Sequence, residues 1–177
     1  MLVCPNCEHE NIDGADVCDE CEQSLIAQSM PKPATSLERA IMKDRIHLLE
    51  PREPLVVEPD ATVAIVVKLM HDHRVGCAIV VDDERHVLGI FSERDALMRL
   101  GADYAAHAGR PVSQFMTMPA ATLREDDKIA FALHRMDLGG YRHVPITDGD
   151  RIAGVISVRD ILRYLTDRLM AIETASV

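Results

Sequence analysis

The chain of 177 residues has room for one ordinary domain of about 150 residues and a small appendage, but not for two full-sized domains. Its 47% hydrophobic content is that of a globular protein, and with 3% aromatic residues and no Trp the core must be built from Val, Ile, Leu, Met and Ala. The net charge of −10 is unevenly placed, because residues 1–27 hold seven acids and no Lys or Arg, whereas the remainder carries 22 of the 29 acids against all 19 bases.

No apolar run approaches the roughly 18 residues that a membrane helix needs, and "MLVCPNCEHE" lacks the basic-then-apolar pattern of a signal peptide. The expectation is a cytoplasmic protein with no membrane contact, in which the five cysteines stay reduced.

The acidic N-terminal piece contains "CPNC" at 4–7 and "CDEC" at 18–21. Two such hooks offer four thiolates, Cys4, Cys7, Cys18 and Cys21, able to close tetrahedrally on zinc with Zn–S distances of ~2.3 Å. A segment this short cannot fold on apolar burial, and a structural zinc supplies about 10–16 kcal/mol of folding free energy. The stretch resembles a small zinc ribbon, with Asn11 and the following "DGA" at the turn between hooks. It departs from that pattern by carrying Glu8 and Glu22 where ribbons usually have Gly. Four unliganded thiols and a rubredoxin-like iron site are the alternatives.

"AQSMPKPATS" follows, with two prolines that exclude helix interior and mark a linker. In "TSLERAIMKDRIHLLE", Thr35 and Glu38 form a capping box ahead of the apolar Leu37, Ala40, Ile41 and Leu48, which predicts a lead-in helix.

From there the chain repeats itself. Asp60 is placed as an N-cap ahead of Val63, Val66, Val67 and Met70 at helical spacing, and Ile129, Ala132, Leu133 and Met136 recur with the same spacing. Thr62 and Lys128 sit near these helix starts. The β-rich runs "CAIVV" and "HVPIT" come next, then acidic turns and second strands "VLGIFS" and "IAGVIS". A final helix is expected each time, with Leu97 and Leu100 matched by Leu162 and Leu165. Each unit of about 60 residues is too small to cover both faces of its own sheet, whereas two packed together are not.

"GIFSERD" (Gly89 to Asp95) and "GVISVRD" (Gly154 to Asp160), with "GYRHVPITD" and "FMTMPAATL", resemble the CBS domain, named after cystathionine β-synthase. The resemblance covers roughly Ile41 to Met170. It implies an α/β fold in which two CBS repeats form a pseudo-twofold pair, here beside the small Cys4 zinc ribbon, and it implies a homodimer. It also implies two clefts for an adenosine-containing ligand such as AMP, ADP, ATP or S-adenosylmethionine. The expected divisions are 1–27 for the ribbon, 28–40 for the linker and the start of the lead-in helix, 41–110 for the first repeat and 111–177 for the second.

Local chemistry supports the same site residues. Ser92 and Ser157 each close a strand and open a helix, where free backbone N–H groups favour an anion. Asp95 and Asp160, three residues on, are placed to accept from a ribose diol, although Ser-x-x-Asp is also a plain capping box. Arg142 falls where the resemblance implies a phosphate-binding arginine, with His143 beside it. The aligned residues of the first copy are Gly76 and Cys77, so the clefts should differ in basicity. Arg94 and Arg159 precede the two aspartates and face phosphate or solvent.

No phosphate-loop, G-x-S-x-G or H-E-x-x-H motif is present, and His71 and His73 point to different helix faces, so no catalysis is expected. Two function classes follow. One is a regulatory module that senses an adenine nucleotide, with a zinc-stabilised ribbon contacting a partner protein or the other subunit. The other is a nucleic-acid-binding regulator that reads through the ribbon. Seven acids and a doubly negative Zn(Cys)4 centre repel phosphate, which favours the first.

Overall fold

The computed structural model describes residues 2–4, 6–12, 15–22, 25 and 35–174. The proline linker and the Asp13–Gly14 part of the turn between hooks lie outside the described residues. The chain forms two compact units, Met1–Arg39 and Ala40–Val177.

In the first unit, β1 (Leu2–Val3) pairs antiparallel with β2 (Glu10–Asn11). Cys4, Cys18 and Leu25 form its small buried cluster. The lead-in helix α1 (Ser36–Lys43) starts at the capping box, with Glu38 N–H donating to Thr35 Oγ1 and Thr35 N–H to Glu38 Oε2, both at 3.1 Å. The apolar series through Leu48 is not one helix. Arg45 is extended and bridges Lys128, and a separate 3-10 turn, Ile46–Leu49, buries Ile46 and Leu49 while Leu48 stays exposed.

The second unit is built twice. The first copy contains β3 (Val56–Val57), α2 (Val63–His73), β4 (Cys77–Val81) and β5 (Val87–Ser92). The second contains β6 (Leu123–Arg124), α3 (Ile129–Gly139), β7 (His143–Asp148), β8 (Arg151–Ser157) and α4 (Val158–Thr174). Each sheet has three strands, with the first pair parallel and the second antiparallel. The two-residue strands β3 and β6 are too short to show any periodicity. Their backbone pairing alone reveals them.

Of the residues the spacing selects, Val63, Val66 and Met70 on α2 and Ile129, Ala132 and Met136 on α3 are buried, while Val67 and Leu133 are half-buried against the same cores. The N-cap of α2 is Thr62 and not Asp60, because the Thr62 hydroxyl accepts from Ile65 N–H. Lys128 holds the equivalent position on α3 without a side-chain cap.

Val63 and Ile129 are structurally equivalent. Val63 N–H donates to Arg110 O at 2.9 Å, and Ile129 N–H to Asp44 O at 3.0 Å. In both copies the segment ahead of the repeat crosses to the other one. Ile46 and Leu49 pack into the second repeat's core, and Val112, Phe115 and Met116 into that of the first. Two straps complete the exchange: Arg52 and Val155 trade backbone hydrogen bonds at 3.0 Å each, and Ile90 and Thr117 do so at 3.0 and 2.8 Å. Between the sheets, Cys77, Ile79, Val81 and Ile90 pack with Ile152 in a third cluster, while Ala78 and Val80 face the first repeat's own core.

The copies differ after their last strand. α4 is a continuous helix, but the first copy runs through an α-turn (Glu93–Asp95), a π-turn (Ala96–Leu100) and a 3-10 turn (Gly101–Asp103). The expected regular helix is not formed there. Gly101, at φ +49°, breaks it where the aligned residue is Thr166.

Candidate functional site

Both Ser-x-x-Asp sequences are capping pairs. Ser92 donates from N–H and hydroxyl to Asp95 Oδ2 at 2.9 and 2.6 Å, and Ser157 does the same to Asp160 Oδ2 at 2.8 and 2.6 Å. Both carboxylates are buried, so what reaches Oδ1 decides whether each retains capacity for anything else.

At Asp95, Oδ1 accepts from Thr117 Oγ1 at 2.8 Å, with Arg99 Nε farther away at 3.5 Å. A carboxylate has about four acceptor positions, and three are filled at hydrogen-bond distance. This group opens into a cleft of about 350 Å³ between the repeats. Ser92, Glu93, Arg94 and Asp95 line it from the first copy, and Tyr141, Arg142 and His143 from the second.

Arg94 spends one donor on Gly140 O at 3.0 Å, closing the positive-φ end of α3. Arg99 donates to the carbonyls of Phe115 and Met116 and to Thr117 Oγ1, fixing the strap that carries Thr117. The Arg142 side chain is exposed and makes no hydrogen bond or ion pair among the described residues, while its carbonyl is pinned by Val158 N–H at 3.0 Å. Burial lowers the His143 pKa below its ordinary value, with Arg159 and Arg142 adding to the effect and Glu93 and Asp160 opposing it. His143 therefore presents a neutral ring at neutral pH. Ile90, Met98 and Tyr141 supply apolar wall.

Five of the eight residues selected from sequence thus meet in one cleft: Ser92, Arg94, Asp95, Arg142 and His143. Ser157, Asp160 and Arg159 lie outside it. Glu93, Met98, Arg99, Thr117 and Tyr141 also line it, and the repeat does not mark them because none has the same residue type at the aligned position of the other copy. A Cβ at Gly76 would lie 2.7 Å from the His143 ring, so the unequal aligned pairs face each other across the repeat boundary.

The Asp160 carboxylate is differently placed. Its Oδ1 accepts from Arg52 Nη2 at 2.5 Å, with Arg163 at 3.5 Å. Arg52 occupies the strap position equivalent to Thr117. Cys77 is buried in β4, and its thiol pKa is pushed up to about 12 by that burial and by Glu93 nearby, which makes it unreactive.

In the first unit, the Sγ atoms of Cys4, Cys7, Cys18 and Cys21 lie within 4.8 Å of one another, with Cys4–Cys21 and Cys7–Cys18 at 3.6 Å. A tetrahedron with Zn–S arms of ~2.3 Å has edges of about 3.8 Å, so the donor set fits zinc. Glu8 and Glu22 adopt φ +60° and +55°, and their N–H groups donate to Cys4 O and Cys18 O at 2.9 Å each. The knuckle turns that ribbons give to glycine are formed here by glutamates. Asn6 and Asn11 amides point at Cys21 and Cys18 sulfurs at 3.5 and 3.6 Å, and buried Asn11 also accepts from Asp19 N–H at 2.9 Å.

Residues 35–102 and 112–167 each match the CBS domain family. The chain is a CBS-domain protein. Its N-terminal cysteine cluster is compatible with a small zinc ribbon that precedes the CBS pair in the sequence. It is 32% identical over 127 residues to an uncharacterised 17.7 kDa protein of Acidianus ambivalens, covering 71% of this chain and 76% of that one. Other curated relatives are longer: the chain spans 35% of a Methanocaldococcus jannaschii protein and 19% of CBSCBSPB1 of Arabidopsis thaliana.

Among solved structures, a CBS-domain-containing protein of Agrobacterium tumefaciens is 31% identical, with a TM-score of 0.62, covering 67% of this chain and 95% of that one. The fold is shared with the CBS pair of MJ0100 in complex with 5-methylthioadenosine and S-adenosyl-L-methionine, at 19% identity and a TM-score of 0.62, covering 71% and 98% of the two chains. It is also shared with CBSX2 in complex with AMP, at 22% identity and a TM-score of 0.57, covering 68% and 96%. No helix among the described residues is long and apolar enough to cross a membrane.

Proposed function

We propose that this CBS pair is a non-catalytic regulatory module that binds one adenosine-containing nucleotide in the cleft between Asp95 and Arg142. The observation that carries the reading is the meeting, in one cleft, of a buried carboxylate with an acceptor position to spare and an unengaged guanidinium from the opposite repeat. The carboxylate suits a ribose diol, the guanidinium a phosphate, and Ile90, Met98 and Tyr141 the face of a purine. The volume lies at the small end of ligand pockets, which suits a mononucleotide. That proteins of the same fold have been crystallised with AMP and with S-adenosyl-L-methionine supports the ligand class.

The reading also assigns a structural zinc to Cys4, Cys7, Cys18 and Cys21. With four thiolates the coordination shell is closed, so the metal organises the chain and activates no water. The acidic surface of this ribbon suits a basic patch on a partner protein or on a second copy of the chain, and not nucleic acid.

Calorimetry with AMP, ATP and S-adenosylmethionine tests the nucleotide assignment. Asp95→Asn should weaken binding by about 1.5–3 kcal/mol, roughly 10- to 150-fold in Kd. Unchanged affinity in that variant would reduce Asp95 to a helix cap.

A further inference from the structure

We infer that Arg52 acts as an internal plug for the second cleft, so that the chain takes one nucleotide and not two. The inference rests on the nucleotide reading of the first cleft and concerns the pseudo-symmetric place around Ser157 and Asp160.

The straps preceding β3 and β6 are related by the same exchange of backbone hydrogen bonds, Arg52 with Val155 and Thr117 with Ile90. They therefore deliver their side chains to equivalent points beside Asp160 and Asp95. Thr117 is short and neutral, and it donates one hydrogen bond to Asp95 Oδ1 while leaving that carboxylate on the wall of the cleft. Arg52 is long and cationic, and it reaches Asp160 Oδ1 at 2.5 Å. With Ser157 donating twice to Oδ2 and Arg163 at 3.5 Å, Asp160 holds as many hydrogen bonds as Asp95, but its third comes from a cation of the chain itself and not from a neutral hydroxyl.

A ribose diol would have to displace a charged donor from a carboxylate that is 2% exposed, exchanging an ion pair for a hydrogen bond from a neutral donor. The second cleft also lacks a counterpart of the Arg142 guanidinium, since Gly76 stands at the aligned position. Arg159 remains there as a cation equivalent to Arg94.

The plug predicts that replacing Arg52 by the residue its counterpart carries restores a site. AMP titrated into the wild-type chain and into Arg52→Thr, with folding of each checked by circular dichroism, should read one more site per chain in the variant, weaker than the first. Arg52→Gln should add the same site, and it serves if Arg52→Thr does not fold. Arg52→Lys, which keeps the charge, should add none.

The increment tests the plug, whereas the wild-type stoichiometry tests the nucleotide reading. One site in the wild type and one in both Arg52→Thr and Arg52→Gln would overturn the plug and leave the first cleft standing. No wild-type site with one in the variant would keep the plug and overturn the first cleft. Two wild-type sites would overturn the plug directly.

Discussion

Replacing Gly154 by Ala probes the packing of the two repeats. A Cβ at Gly154 lies 2.8 Å from Pro51 Cβ. Carbon atoms pack at about 3.5–4.0 Å, so the strap must retreat by about 0.7–1.2 Å. The obstacle is a proline ring and cannot swing aside by a rotamer change. The neighbouring Arg52 is tied to Val155 by two backbone bonds of 3.0 Å, which the retreat would stretch. Overpacking of this kind costs about 1–3 kcal/mol. For a chain of this length that is roughly 2–4 °C per kcal/mol, or a fall in Tm of about 2–12 °C by circular dichroism. Gly109 is the internal control, because nothing lies within 4 Å of its Cβ position and its backbone is not left-handed. Gly109→Ala should be neutral or raise stability by about 0.4–1 kcal/mol. A Gly154→Ala protein melting with the wild type would refute the claim that this glycine exists for the crossing strap.

Removing zinc with a chelator should abolish the structure of the cysteine unit while the circular dichroism of the CBS pair persists, and metal analysis should find one zinc per chain; iron or no metal would count against the assignment. In thiol titration, Cys4, Cys7, Cys18 and Cys21 should become reactive after chelation, whereas Cys77, with its pKa near about 12, should react only on unfolding. Burial by itself raises the pKa of Asp160, but Ser157 and Arg52 outweigh it and hold the carboxyl below its ordinary 3.8. A carboxyl depressed in the folded state contributes stability that is present above its unfolded value and lost as pH falls through the folded one. Asp160→Asn should therefore flatten the loss of Tm below about pH 4, and an unchanged acid limb would contradict this.

Much of this architecture is written in short-range patterns. The spacing of Val63, Val66 and Met70, and of Ile129, Ala132 and Met136, marks the buried helix faces because a helix returns to the same face every three to four residues. "CAIVV" and "VLGIFS" coincide with β4 and β5, and the two cysteine hooks supply the four clustered thiols, since each depends only on near neighbours. The candidate site residues were legible as types, but not their grouping. That Asp95 shares a cleft with Arg142 while Asp160 faces Arg52 follows from two straps crossing between repeats, contacts spanning tens of residues that leave no periodic trace. Gly89 and Gly154 show the same limit. Their repetition is visible, but its cause is not, because only the fold brings Met116 within 2.6 Å and Pro51 within 2.8 Å of the missing Cβ atoms. Local sequence determined the longer strands, the two repeated helices and their chemistry, but not the short strands β3 and β6 or the broken helix after Ser92. Which carboxylate meets a neutral hydroxyl and which a cation was decided by the side chain each strap delivers across the repeat boundary, a short threonine at Asp95 and a long arginine at Asp160.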